Sequence, residues 1–151
     1  MDKQQSMMAI LKLYELRRDE KMRQARAWYF SEFAPKSAMD IVQLYRDGES
    51  ASAYFRMVIS FWDMAASFVL NEAIDEKMFF DATIGEAIFV YAKVQPYLAE
   101  VRELFQSSEY AFNLEQLVLK YPNIETRLEA QHRLIAVWTN ENKKLSANEN
   151  S

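Results

Sequence analysis

Over residues 50–71 the chain reads SASAYFRMVISFWDMAASFVLN, and its apolar positions fall into two adjoining stripes at helical spacing. Tyr54, Val58, Phe61, Trp62, Ala65 and Val69 make one stripe; Phe55, Ile59, Ala66 and Leu70 make the other. Polar side chains keep to a strip at Ser52, Arg56, Ser60, Asp63 and Ser67, whose steps of four, four, three and four hold them on one face. A helix with two apolar stripes needs neighbours on more than one side, so this stretch is expected to be a central, mostly buried helix. A membrane span needs about 20 predominantly apolar residues, and the run 54–70 is shorter and carries Arg56 and Asp63. The pattern therefore speaks for a core helix and against direct membrane insertion.

Ahead of it, nothing in residues 3–33 breaks a helix, and Met7, Ile10, Leu11, Tyr14, Met22, Ala25, Trp28 and Tyr29 recur at threes and fours. The spacing predicts one helix of about 30 residues, about 45 Å long. Its middle, from Arg17 and Arg18 to Arg23, is charged nearly all round, which is ordinarily a solvated stretch. The sharper reading is that the apolar half 7–16, with Met7, Ile10, Leu11 and Tyr14, reaches beyond the domain to pair with another copy or another protein. Pro35 ends this helix. Ser37 with Asp40 then opens a short helix, Gly48 closes it, and Ser50 caps the central one.

Downstream, Asp75 is an N-cap for a short helix over 76–81, and Thr83 with Glu86 forms a capping box for the next long helix. Pro96 is expected to kink that helix. Ser108 caps a helix carrying Tyr110, Phe112, Leu114, Leu117 and Val118, and Asn123 caps a last one in which Ile124, Leu128, Leu134, Ile135 and Trp138 face inward. The polar run from Asn140 is expected to fray, which gives a helical domain over 1–145 and a disordered tail over 146–151. No internal repeat occurs at a fixed period.

Composition sharpens this to a fold class. Two glycines and three prolines in 151 residues leave too few turns for a β-sandwich or an α/β fold. The expectation is an all-α, single-domain bundle of about six or seven helices with a long N-terminal helix. Aromatics at 14% and eight methionines make its core bulky. A net charge of −4 argues against nucleic acid as a partner. The absence of cysteine and of an apolar signal-peptide core in MDKQQSMMAI makes the cytoplasm the expected compartment.

Candidate chemistry is sparse. Glu129 and His132 have the Glu-x-x-His spacing of di-iron bundles, but such sites need two such motifs and the chain has a single histidine, so no metal is expected. Asp63, flanked by Phe61, Trp62 and Met64, is the most interesting acid. It is read as a structural carboxylate paired with Arg56 or Arg102, the pair Asp63–Arg102 being the candidate carried forward. Asp75, Glu76, Asp81 and Glu86 lack calcium-loop spacing and read as helix caps. No nucleophile-base signature and no Gly-rich phosphate loop occurs, and no cofactor is implied.

The run VISFWDMAASFVLNEAIDEKMFFDATIGEAIFVYAKVQPYLAEVRELF, followed by AFNLEQLV, resembles an uncharacterised bacterial family of small all-helical domains of unknown function. The positions that carry the likeness are Phe61, Trp62 and Asp63, then Ala65, Ile74, Asp75, Gly85, Pro96, Arg102, Phe112 and Glu115. Family members often have a glycine before the Ile-Asp pair, where this chain has Ala73. Relatives often carry membrane helices ahead of this domain, which implies that any membrane role here comes through a partner. The resemblance implies an all-helical fold and no activity.

The functional expectation is a non-enzymatic interaction or scaffold protein that self-associates, as a homo-oligomer, through its N-terminal helix. The alternative is a small-molecule binding domain with a pocket among Trp62, Phe79, Phe80 and Tyr91. An enzyme built on Asp63 comes third.

Overall fold

The computed structural model describes residues 2–150, and among them the chain forms eight α-helices and no strand. In order they are α1 (Lys3–Arg17), α2 (Glu20–Ser31), α3 (Ala38–Asp47), α4 (Ser50–Leu70), α5 (Glu76–Val94), α6 (Leu98–Phe105), α7 (Phe112–Leu119) and α8 (Ile124–Glu149). A 3-10 turn at Gln95–Tyr97 joins α5 to α6.

The all-α architecture is as expected, but the single long N-terminal helix is two. The break falls at Arg18 and Asp19, in the charged middle. Asp19 takes up extended backbone, and its carboxylate accepts hydrogen bonds from the backbone N–H groups of Lys21 at 3.0 Å and Met22 at 3.4 Å. A short acidic side chain competes in this way for the backbone groups a continuous helix would use, and here it caps α2 instead.

At the centre lies α4, packed against α2, α3, α5 and α7. By length and composition alone α4 is long and apolar enough to cross a membrane, a description that also fits the core helix of a bundle. Eight of its 21 residues are buried inside the protein, among them Phe55, Val58, Ile59, Trp62 and Val69. Of the expected polar strip, Arg56 and Ser60 are exposed, Asp63 and Ser67 are half-buried, and Ser52 is buried. Phe55 closes an aromatic cluster with Tyr29, Phe33 and Tyr45, at ring separations of 6.4, 5.1 and 5.7 Å. Each such fully buried side chain contributes about 1.5–3 kcal/mol.

The caps divide into those made and those displaced. Ser37 Oγ accepts from Asp40 N–H and so caps α3, while the Asp40 carboxylate reaches past the N-cap to the Lys36 N–H, one residue beyond the partner of a capping box. Gly48 ends α3 at φ 63°, the left-handed value that glycine adopts without strain. Asp75 caps α5 through Met78 N–H at 2.9 Å. The N-cap of α4 is Glu49, without a side-chain bond, and Ser50 is the first helical residue. The box expected at Thr83 and Glu86 does not form, because both side chains are taken by arginines from α1 and α2, and α5 runs straight through. Ser108 caps nothing; α7 begins four residues later, behind Ala111 at φ 53°. Asn123 precedes α8 as expected but makes no side-chain cap bond.

Pro96 does interrupt α5, as the 3-10 turn. Just before it, every residue over 87–94 is buried, so this end of α5 is enclosed on all sides. On α8, Ile124 and Leu128 are buried and Ile135 half-buried. Leu134 and Trp138, expected to face inward, are 38% and 40% exposed. The helix continues to Glu149 through the stretch read as a fraying tail; Ser151 lies outside the described residues.

Asp19→Ala is expected to lower stability by about 1 kcal/mol, the worth of one N-cap. In urea this appears as a lower midpoint with an unchanged slope. An unchanged midpoint would mean that the break at residues 18–19 is held by something other than this carboxylate.

Candidate functional site

α1 lies along the first half of α5, and its inner face is read off at helical steps: Ser6, Ala9, Ile10, Leu13 and Arg17. Ser6 is fully buried, and its hydroxyl accepts from Asp75 N–H at 2.9 Å. Leu13 is buried, and Ala9 and Ile10 pack on the core from its edge. Between this face, α4 and α5 there is a cleft of about 270 Å³, lined by Ile10, Leu11, Leu13, Tyr14 and Arg17 from α1, by Trp62 from α4, and by Ala82 and Thr83 from α5.

The cleft is apolar apart from one side, where charge is concentrated. Arg17 donates from Nη1 to Thr83 Oγ1 at 3.0 Å and pairs with Glu86 at 3.3 Å. Arg26 grips the same Glu86, with Nη2 at 2.7 Å from Oε1 and Nε at 3.0 Å from it. Glu86 is 9% exposed, so two guanidinium groups share one nearly buried carboxylate. The Arg17 guanidinium also lies over the Trp62 ring at 5.1 Å and beside the Tyr14 ring at 5.8 Å. Burial lowers the pKa of Arg17, with Glu86 opposing, and an arginine stays charged regardless. Two buried donors of this group, Arg17 Nε and Trp62 Nε1, have no acceptor. An unsatisfied buried N–H costs about 1–3 kcal/mol.

The expected interface and pocket residues meet here in part. Met7, Leu11 and Tyr14 are 43%, 54% and 56% exposed, whereas Ile10 turns inward. Of the four expected pocket residues, Trp62 alone lines the cleft. Phe79 is buried behind it at a ring separation of 6.5 Å; Phe80 packs edge-on against Tyr121 at 5.3 Å; Tyr91 donates from its hydroxyl to Glu115 at 3.0 Å. The four rings turn to different neighbours, because they sit at different angles around their helices. Sequence reasoning missed Arg17, Arg26 and Glu86. Their signal was present only as charges 60 and more positions apart.

Asp63 and Arg102 do not pair. Asp63 Oδ1 accepts from the backbone N–H of Leu114 at 2.9 Å, and its Oδ2 from Asn113 at 3.4 Å. It therefore caps α7 from another helix, where the unpaired N–H groups of a helix start attract a carboxylate. Arg102 instead meets Glu115 at 3.0 Å and donates to the Tyr110 carbonyl at 2.9 Å. Arg56 donates to the Tyr45 carbonyl and stacks on its ring. Burial raises the pKa of Tyr110 and Tyr45, whose hydroxyls share a 2.6 Å hydrogen bond. A hollow of about 420 Å³ beside them is floored by Ile59 and rimmed by Asp63 and Arg56. With both carboxylate oxygens of Asp63 committed to α7, this carboxylate positions a helix.

A third feature is Lys93, 8% exposed and without an acidic partner among the described residues. Its ammonium donates to the carbonyls of Tyr29, Phe30 and Phe33 at 2.5, 3.2 and 2.7 Å, which caps the end of α2. The rings of Tyr29, Phe33 and Phe89 surround it at 5.1–5.9 Å. Burial lowers its pKa to about 8. A groove between the end of α2 and α8 runs past it, about 410 Å³ in the part walled by Phe30, Phe33 and Trp138. His132 lies at the far end of this groove and bonds the Ala92 carbonyl, while Glu129 is exposed. No group of three or more possible metal ligands occurs among the described residues.

Two measurements check these assignments. In double-mutant cycles, Arg102→Met with Glu115→Gln is expected to show a coupling of about 0.5–3 kcal/mol, and Arg102→Met with Asp63→Asn a smaller one. The reverse order would restore the Asp63–Arg102 pair. For Lys93, the folded pKa lies below the unfolded value of about 10.4. Below pH 8 both states are protonated and the folded protein bears the full cost of the buried charge; as pH rises the folded state releases the proton first, and the cost falls away. Relative to Lys93→Met, the wild type is expected to gain about 2 kcal/mol between pH 7 and pH 9.5 in urea melts. No relative gain would refute a lowered pKa.

No curated protein and no solved structure matches the chain. A family model does, over residues 4–121, which takes in α1 to α7 and stops short of α8. This chain belongs to the family described as Domain of unknown function (DUF4760).

Proposed function

We propose that this chain is a non-enzymatic helical interaction module that self-associates through the outer face of α1. The observation that carries the proposal is the set of large apolar side chains left on that face. Met7, Met8, Leu11 and Tyr14 follow one side of the helix and are 43–60% exposed, although the other side of the same helix is already packed on the bundle. A helix that is apolar on two faces needs two neighbours. Leu16, also exposed at 43%, lies on the opposite flank and is outside the patch.

A second copy suits this surface better than an unlike partner. Lys12 and Glu15 border the patch and pair with each other at 3.7 Å. In an antiparallel arrangement about a twofold axis at Leu11, Leu11 meets Leu11 of the second copy and Met8 meets Tyr14, so the patch complements itself. Against a catalytic reading, the two ionisable groups that stand out, Asp63 and Lys93, are both fully engaged in holding helix ends.

Light scattering over a range of concentrations is expected to give a dimer or larger, and Leu11→Asp is expected to give a monomer of unchanged helicity. A monomer at every concentration in the wild type would sink the proposal. An oligomer that Leu11→Asp leaves intact would move the interface off α1.

A further inference from the structure

We infer that the cleft behind α1 is a binding site for a small carboxylate with an apolar body, a site that shares Leu11 and Tyr14 of its lining with the surface proposed for self-association. Three observations converge on it. The cleft is walled by Ile10, Leu13 and Ala82, which offer a body-sized apolar surface, and its 270 Å³ lies just below the roughly 300–1,000 Å³ of drug-sized sites, which suits a ligand of a few heavy atoms. Its charge is unbalanced, because Arg17 and Arg26 share the single carboxylate of Glu86. Its two unpaired buried polar groups, Trp62 Nε1 and Arg17 Nε, are both donors.

Each observation constrains the ligand. Donors without acceptors select a group that accepts and does not donate. A surplus cation selects a negative one. Together they describe a carboxylate, and the apolar walls exclude a fully polar anion. The arrangement also explains the placement of Trp62. The indole is 1% exposed, yet it lines the cleft, and the Arg17 guanidinium covers its face. Both N–H groups are closed to water, so a carboxylate reaches them when the cleft opens between α1 and α5. The guanidinium can then hold the carboxylate while the apolar body enters between α1 and α5.

Hexanoate is a suitable probe, with hexan-1-ol as its uncharged counterpart, and both can be titrated into the full chain by calorimetry and by the indole N–H resonances of its three tryptophans. Trp28→Phe and Trp138→Phe assign the other two indoles and leave Trp62 in place. The expected result is saturable binding of one hexanoate per chain, a downfield shift largest at the Trp62 N–H, and binding of hexan-1-ol at least about tenfold weaker. Trp62→Phe, which keeps a ring and removes the donor, is expected to weaken hexanoate binding by about tenfold or more. The inference is overturned if hexanoate does not saturate by concentrations on the order of 10 mM. It is overturned equally if hexan-1-ol binds as well as hexanoate, or if the Trp62 resonance stays still while another moves. The wild-type readout decides the matter even where Trp62→Phe fails to fold.

Discussion

A buried positive charge with no negative partner among the described residues ties the end of α2 to α5, and the placing of α2 depends on it. Taking an ammonium out of water costs several kcal/mol unless its protons are met. Lys93 meets two carbonyls of the last turn of α2, those of Tyr29 and Phe30, and that of Phe33 just beyond it, inside a cage of Tyr29, Phe33 and Phe89. The negative end of a helix and the faces of aromatic rings both favour a cation, so the site stabilises what burial disfavours. Tyr29 answers in the other direction, donating from its hydroxyl to the Val90 carbonyl of α5 at 2.6 Å. The two elements are thus cross-braced by groups that a purely apolar contact would not orient. With α2 fixed in this way against α5, the aromatic cluster of Tyr29, Phe33 and Phe55 locks α4 against α2.

A second organising role belongs to α7. This helix has eight residues, too few to be stable alone. It is preceded by Ala111 in a left-handed conformation that gives it no cap of its own. Asp63 supplies that cap from α4, and Arg102 from α6 holds both the Tyr110 carbonyl and Glu115. The positions that carry the family likeness, Asp63, Arg102 and Glu115, therefore act as anchors of a short helix. Gly85, another of them, has no such explanation: a Cβ there would meet only the Arg127 side chain, at 3.9 Å. At Ala73 the departure from glycine is harmless, since the left-handed residue of that turn is Glu72, at φ 62°.

The sequence made legible whatever depends on local pattern. The central helix at 50–71, the start of α3 at Ser37, the glycine end at Gly48, the cap at Asp75 and the interruption at Pro96 each follow from neighbours within a turn or two. Contacts between distant helices were not legible, and they explain the differences at Thr83, Glu86, Asp63 and Lys93. Thr83 and Glu86 have the spacing of a capping box, but Arg17 and Arg26 engage them from other helices. Asp63 has two arginines within plausible reach, yet backbone N–H groups of α7, which no side-chain pattern reveals, outcompete both. Lys93 stands in a wholly apolar run, FVYAKV, where its role could be read only once the end of α2 was placed beside it. Asp19 is the exception: its cap is local, and the charged surroundings masked it.

The properties proposed for α1 bear on one another. Leu11 and Tyr14 belong both to the apolar patch and to the wall of the cleft, and one helix carries them. Ser6 at one end and Arg17 at the other are its polar attachments to α5. If a carboxylate opens the cleft between α1 and α5, the attachment at the Arg17 end changes, and with it the angle at which Leu11 and Tyr14 are presented to a second copy. Linkage then requires reciprocity: whatever factor the ligand imposes on self-association, self-association imposes on ligand affinity. A coupling of zero is equally informative, because it would mean that α1 moves only at the Arg17 side chain while its backbone stays fixed by Ser6, Ile10 and Leu13. The sign of that coupling therefore reports how rigidly the first helix of the bundle is held, a quantity that neither face of α1 gives by itself.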